Sequence, residues 1–186
     1  MRIFLISFLS LFALAVMGQS DVRLKTGSIH MSESLADTRT TGFPSFSKRK
    51  YAFVRFSAAL SFSKQEQLMS QGIKFLSSVN GAYFLSFPSG LTFGRFAVPP
   101  KSSGAFPGIL KLSERLLEDT DSEGRTTIRL LHSGEHDIEL LAKSISDAGG
   151  EVIDLKMSAY NILTIDIDLR NVIALAEIAP VMWIEY

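Results

Sequence analysis

Along Tyr51-Ala-Phe-Val-Arg-Phe56, Ala52, Val54 and Phe56 alternate with Tyr51, Phe53 and Arg55. That two-residue period predicts a β-strand. A polar stretch follows in which Ser63 and Glu66 have the spacing of a capping box, Leu68 and Met69 supply the buried side, and Gly72 supplies a left-handed stop. Ile73 to Leu76 and Tyr83 to Phe87 then read as two strands joined through Asn80-Gly81, a strong hairpin signal. The order recurs downstream. Thr126 to Leu131 is a strand, and Ile138, Leu141, Ala142, Ile145 and Ala148 share one helical face ending at Gly149-Gly150. Val152 to Leu155, a turn near Ala159-Tyr160, and Leu163 to Ile167 complete the second copy, so that Arg55 aligns with Arg129 and Phe87 with Ile167.

Each copy has a continuation. In the first, Leu91 to Val98 suggests a second helix ended by Pro99-Pro100, and Gly104 to Leu110 a fourth strand. In the second, Asp168 caps a helix with Val172, Ile173, Leu175 and Ala176 as its apolar stripe, Pro180 stops it, and Val181 to Tyr186 is a last strand. The order βαββαβ, with right-handed crossovers, gives a four-stranded antiparallel sheet carrying both helices on one face. The expected fold class is therefore α+β, two tandem ferredoxin-like βαββαβ modules. Residues 51–117 form the first and 125–186 the second, with the wholly polar run 118–124 as linker.

The N-terminal part is different. Arg2 followed by the apolar run Ile3 to Met17 has the form of a signal peptide over residues 1–18, and the run is shorter than the roughly 20 residues of a spanning helix. Export, to the periplasm or outside, with no stable membrane insertion after cleavage, is the expectation. Residues 19–50 are rich in Ser, Thr and Lys, with only a short strand signal at Val22 to Leu24, and read as an exposed arm, in which Lys48-Arg49-Lys50 is a solvated charge run or a processing site. The chain has no cysteine, which rules out a disulfide scaffold, and its formal net charge of 0 supplies no long-range attraction for nucleic acid.

Candidate chemistry is sparse. His132-Ser-Gly-Glu-His136 matches the H-x-x-E-H of inverted zinc peptidases, but it spans a strand end and a helix start with Gly134 inside, so the histidines read as solvated loop residues. Arg49 to Phe56 resembles the aromatic strand of RNA recognition modules; it sits on the wrong strand, and the chain lacks basic excess, so nucleic acid is not expected. There is no nucleophile elbow and no phosphate-binding glycine loop. No catalytic residue, metal ligand or cofactor is assigned. Binding is the function class that remains.

A two-layer plait leaves one sheet face open. The pattern places Tyr51, Phe53 and Phe84 on that face of the first module, and the polar Arg129, Thr164 and Asp166 on that of the second. Three such rings carry roughly 450–750 Å² of apolar surface, which reaches or exceeds what a monomer leaves bare. They call for a cover, either a partner protein or another part of this chain.

Four stretches resemble the paired propeptide-type modules that precede the catalytic domain in some secreted subtilisin-like serine proteases. These are Tyr51 to Phe56; Gln71 to Leu76 followed by Asn80-Gly-Ala-Tyr83; Leu110-Lys-Leu-Ser113; and Leu175 to Glu185. The resemblance implies an inhibitor-like prosegment, which chaperones and inhibits a subtilisin-like protease domain acting in cis or in trans. It implies protein contact through Tyr51, Phe53 and Phe84, with Tyr186 marking where an inhibitory tail would begin. The Asp, His and Ser motifs of the protease domain are absent from these 186 residues, so the chain resembles only the front part of such an enzyme. The alternative is a stand-alone exported interaction or small-ligand module of ACT type, with those rings buried between the two copies.

Overall fold

The computed structural model describes residues 21–33 and 42–186. The expected signal peptide lies outside the described residues. The chain is α+β, with antiparallel sheets and four α-helices among the described residues.

The N-terminal part opens with a hairpin of β1 (Asp21–Leu24) and β2 (Gly27–His30). Then come β3 (Ser45–Phe46), β4 (Arg49–Phe56), α1 (Phe62–Ser70), β5 (Lys74–Val79), β6 (Ala82–Pro88) and β7 (Pro100–Gly104). The sheet runs β3-β4-β6-β5, and β7 joins β4 on the edge that β3 also uses. A short α2 (Glu114–Glu118) leads to β8 (Arg125–His132), α3 (Ile138–Asp147), β9 (Gly150–Asp154), β10 (Ile162–Asp168), α4 (Val172–Ala176) and β11 (Val181–Glu185). These four strands lie in the order β11-β8-β10-β9, every neighbouring pair antiparallel. Setting β3 aside, the first sheet repeats that connectivity as β7-β4-β6-β5.

Local chemistry explains most elements. Asn80 and Gly81 both take positive φ, 50° and 74°, which is the type I′ geometry that suits the twist of the β5–β6 hairpin. Gly72 and Gly149 end α1 and α3 at φ 80° and 85°. Asp137 caps α3 by accepting from the Glu139 amide at 2.8 Å, and Asp168 accepts from the Arg170 amide at 3.0 Å as the chain turns into the last helix.

Three sequence expectations are corrected. Helix α1 is capped by Ser61, whose Oγ accepts from the Lys64 amide at 3.4 Å, rather than by Ser63; the helix begins earlier, at an exposed Phe62. The second helix of the first copy is a single 3₁₀ turn, Phe93–Arg95, since Gly94 and the Pro99-Pro100 pair leave too few helix-forming residues. Phe93 and Phe96 are buried, so rings fill the space that α4 fills in the second copy. The fourth strand is Pro100–Gly104, and Gly108–Lys111 is a 3₁₀ turn instead. Pro100 opens that strand, the position a residue without an N–H tolerates best.

The largest correction concerns the arm. Its described part is docked rather than free: Val22, Ile29 and Met31 are buried, packed on the face of β4 and β6 opposite α1. Gly104 permits this, because a Cβ there would lie 2.6 Å from the His30 carbonyl oxygen. Ser32 and Ser103 exchange backbone hydrogen bonds of 2.9 and 3.1 Å, and the Asn80 amide donates to the Arg23 carbonyl at 2.9 Å. The first sheet is therefore covered twice, by α1 and the Phe93–Phe96 plug on one face and by the arm with Phe106 on the other. The second is covered once. Leu141, Ile145, Val172 and Leu175 pack on Ile128, Leu130, Ile165 and Ile167, while Arg125, Thr127 and Arg129 face outward.

Candidate functional site

Tyr51, Phe53 and Phe84 are 1, 2 and 1 % exposed, so the expected open aromatic face is closed. Phe53 stacks on Phe84 with centroids 4.9 Å apart, and Phe106 meets both edge-on at 5.3 and 5.4 Å. The arm supplies most of the cover, and Ala179 and Met182 of the C-terminal part join the same cluster. The three rings are core. The fourth candidate, Tyr186, is partly buried on the second core; its hydroxyl donates to the Asp119 carboxylate, and the Arg115 guanidinium lies 5.1 Å from its ring centre. Burial and the Asp119 charge push that phenol up to about 12.

The residues that stand out instead are those between the two sheets, at the end of β8. His132 continues the inward phase of Ile128 and Leu130 and is 5 % exposed. The following turn places Gly134 at φ 72°, where a side chain would collide with the Asn161 amide. This returns Glu135 and His136 toward β3, β4 and β5. The Glu135 side chain is 5 % exposed, with Oε2 at 3.5 Å from both Arg49 Nε of β4 and Lys74 Nζ of β5. His136 meets Phe46 of β3 edge-on at 5.4 Å and His132 at 5.0 Å.

Hydrogen bonding in this cluster is incomplete. His132 Nδ1 accepts from the Gly134 amide at 3.1 Å, which leaves its proton on Nε2. That Nε2, His136 Nε2, both Glu135 oxygens and the Tyr51 hydroxyl are buried without a hydrogen-bond partner. The two ring nitrogens are the costly ones, on the order of 1–3 kcal/mol each, since Glu135 lies against the Arg49 and Lys74 charges and the Tyr51 hydroxyl lies beside Glu135 and Ser133. Burial, and then the neighbouring His136, pushes the His132 imidazole down to about 4. Burial also lowers His136, against the opposing pull of Glu135 and Asp137. The Tyr51 phenol is raised, first by burial and then by the Glu135 charge. These histidines are thus not the solvated loop residues expected from the sequence. The signal was present: His132 falls two and four residues beyond Leu130 and Ile128, in phase with the core side of its strand.

A second buried charge joins the same two regions. Lys111, 1 % exposed, donates to the carbonyls of Ala176 at 2.8 Å and Ile178 at 3.3 Å, where α4 ends. Burial pushes its ammonium down to about 8, against the opposing charge of Glu177. Glu177 also accepts from the Gly108 amide at 2.9 Å. In sequence Lys111 stands out only as part of the Leu110 to Ser113 stretch, and nothing there marks it as buried.

Among the described residues, no group of three or more His, Asp or Glu side chains is arranged to hold a metal ion, and no helix is long and apolar enough to cross a membrane. The cluster joins elements of the two sheets, with its polar atoms buried beside Phe46, Tyr51 and the ends of β4 and β5. Exposed apolar side chains gather elsewhere, on and after the free edge strand β9, where Ile153, Leu155, Met157 and Tyr160 are about half exposed or more. Comparison with family models, with curated proteins and with solved structures found no match to the chain in any of the three.

Proposed function

We propose that the chain is a non-catalytic pair of ferredoxin-like modules that binds another protein, and that it serves as a propeptide-like chaperone and inhibitor of a subtilisin-like protease domain. The observation that carries the binding reading is the difference in cover between the sheets. The second sheet keeps its outer face open at Arg129, Thr164 and Asp166, with Ile153, Leu155 and Tyr160 exposed along its β9 side. A polar face bordered by apolar anchors has the composition of a protein interface. The contact surface in this reading is the second sheet, in place of Tyr51, Phe53 and Phe84. The protease as partner is supported by the four stretches of sequence quoted above.

A second reading, a stand-alone exported interaction module, is favoured by the closed first sheet. A chain that covers its own rings needs no protease to hide them. One experiment separates the two. The purified protein is titrated into a subtilisin-type protease, with residual activity and the refolding yield of the denatured protease as readouts. The propeptide reading expects inhibition and a raised yield, both reduced in a Leu155→Ser/Tyr160→Ser variant of unchanged melting temperature. No effect from folded protein would sink that reading and leave the stand-alone module.

A further inference from the structure

The turn from His132 to His136 touches three strands of the other sheet, and its stability depends on neutral imidazoles. His132 Nδ1 holds the Gly134 amide, the bond that shapes the turn. A proton taken up at Nδ1 turns that acceptor into a donor facing a donor, so the bond is lost and the turn loses its brace. The charge would also arise in a buried site, 5.0 Å between ring centres from His136. Few neighbouring charges favour it. Arg49 of β4 and Lys74 of β5 are cations engaged with Glu135, while Tyr51 of β4 and Phe46 of β3 are neutral. Glu135 and Asp137 are the carboxylates that face His136, and Glu135 already lies against the two cations. A protonated pair is relieved most directly by water, which requires the turn to leave the ends of β3, β4 and β5.

We propose that the His132–His136 turn is an acid-sensitive latch between the two sheets, which releases Phe46, Arg49 and Tyr51 when the buried imidazole pair takes up a proton. The consequence goes beyond the binding reading above and is independent of which protein is bound. Mild acid unseals the Tyr51 end of the aromatic face, while the centre of the second sheet, around Ile165, stays closed.

Two measurements on the full chain test this. In the first, the His132 and His136 imidazole resonances are titrated by NMR in the folded chain and again in the urea-unfolded chain. The latch requires both to titrate lower in the folded chain than in the unfolded chain; titration of both at the unfolded value overturns it. In the second, amide exchange is followed from pH 7.5 to 5.0 and corrected for the intrinsic pH dependence. Because each unit of separation between folded and released values is worth about tenfold, protection in β4 around Tyr51 is expected to fall about tenfold or more, with Ile165 unchanged. A His132→Gln/His136→Gln variant is expected to lose that response. An equal response in the variant, or equal loss of protection at Ile165, overturns the latch. Should the variant not fold, the wild-type titration and exchange still decide.

Discussion

The same face of the two sheets carries opposite chemistry. With Arg55 of β4 matched to Arg129 of β8, the strand registers make Tyr51 correspond to Arg125, Phe53 to Thr127 and Phe84 to Asp166. In the first sheet these positions are buried under the arm; in the second they are exposed or half-exposed and include the Arg125–Asp166 ion pair at 2.6 Å. One connectivity thus supports two designs. A sheet covered on both faces reads as a near-continuous apolar strand, as in Tyr51-Ala-Phe-Val54. A sheet covered once reads as strict alternation, as in Leu163-Thr-Ile-Asp-Ile167. The density of rings on a face reports what lies over it, and here the cover comes from the chain itself.

The contrast is broken most severely by Phe84→Ala, which leaves a cavity among Tyr51, Phe53 and Phe106 and is expected to cost about 3–5 kcal/mol in urea unfolding. Thr164→Ala, on the open face opposite Arg129, is expected to change stability by no more than about 0.5 kcal/mol. Equal costs would erase the distinction between the faces. Next comes Gly104→Ala, whose new methyl meets the His30 carbonyl and must push β2 off the sheet. A loss of about 1–3 kcal/mol is expected. Exchange should rise in β1 and β2 but not in β9 or β10.

Lys111 sharpens the junction between the two regions. Truncation to Ala strips the Ala176 and Ile178 carbonyls of their donor and is expected to cost about 1–3 kcal/mol. Its pH signature has a definite sign. With the folded ammonium pushed down to about 8 from an ordinary 10.5, the unfolded chain holds the extra proton between those values, so stability rises with pH from 8 toward 10. Lys111→Met should flatten that rise in thermal melts. His132 acts in the other direction from neutrality: stability is whole above pH 6.5 and declines as pH falls toward 4, where the folded imidazole titrates. The smallest effect belongs to Arg129→Ala, an exposed residue of the open face, expected to leave stability within about 0.5 kcal/mol.

Where local chemistry dominates, the elements were legible in the sequence. Asn80-Gly81, Gly72, Gly149, Asp168 and the alternation of β8 and β10 each specify their structure within a few residues. Legibility failed where the cover was distant. The strand at Val22 to Leu24 was legible, but nothing in Asp21 to His30 announces that Val22 and Ile29 pack on rings beyond residue 50, because a short strand of mixed polarity reads as part of an exposed arm until its partner sheet is known. Leu91 to Val98 failed for another reason: its helical spacing of apolar residues is real, but the rings pack from a 3₁₀ turn that needs no helix. The buried His132, Glu135 and His136 were visible as a motif and misplaced as solvent-exposed, since a turn residue's burial depends on what it turns toward.

The account rests on the claim that this chain seals the aromatic face of its first sheet and leaves the matching face of its second sheet open. The absence of native cysteine allows a direct test by thiol labelling of two single variants, Ala82→Cys within the arm-covered cluster and Arg129→Cys on the outer face. At pH 7.5 the thiol at position 129 should react with a maleimide at the rate of the unfolded chain, while that at position 82 stays unmodified until denaturant is added. Equal labelling of the two folded variants would contradict the account.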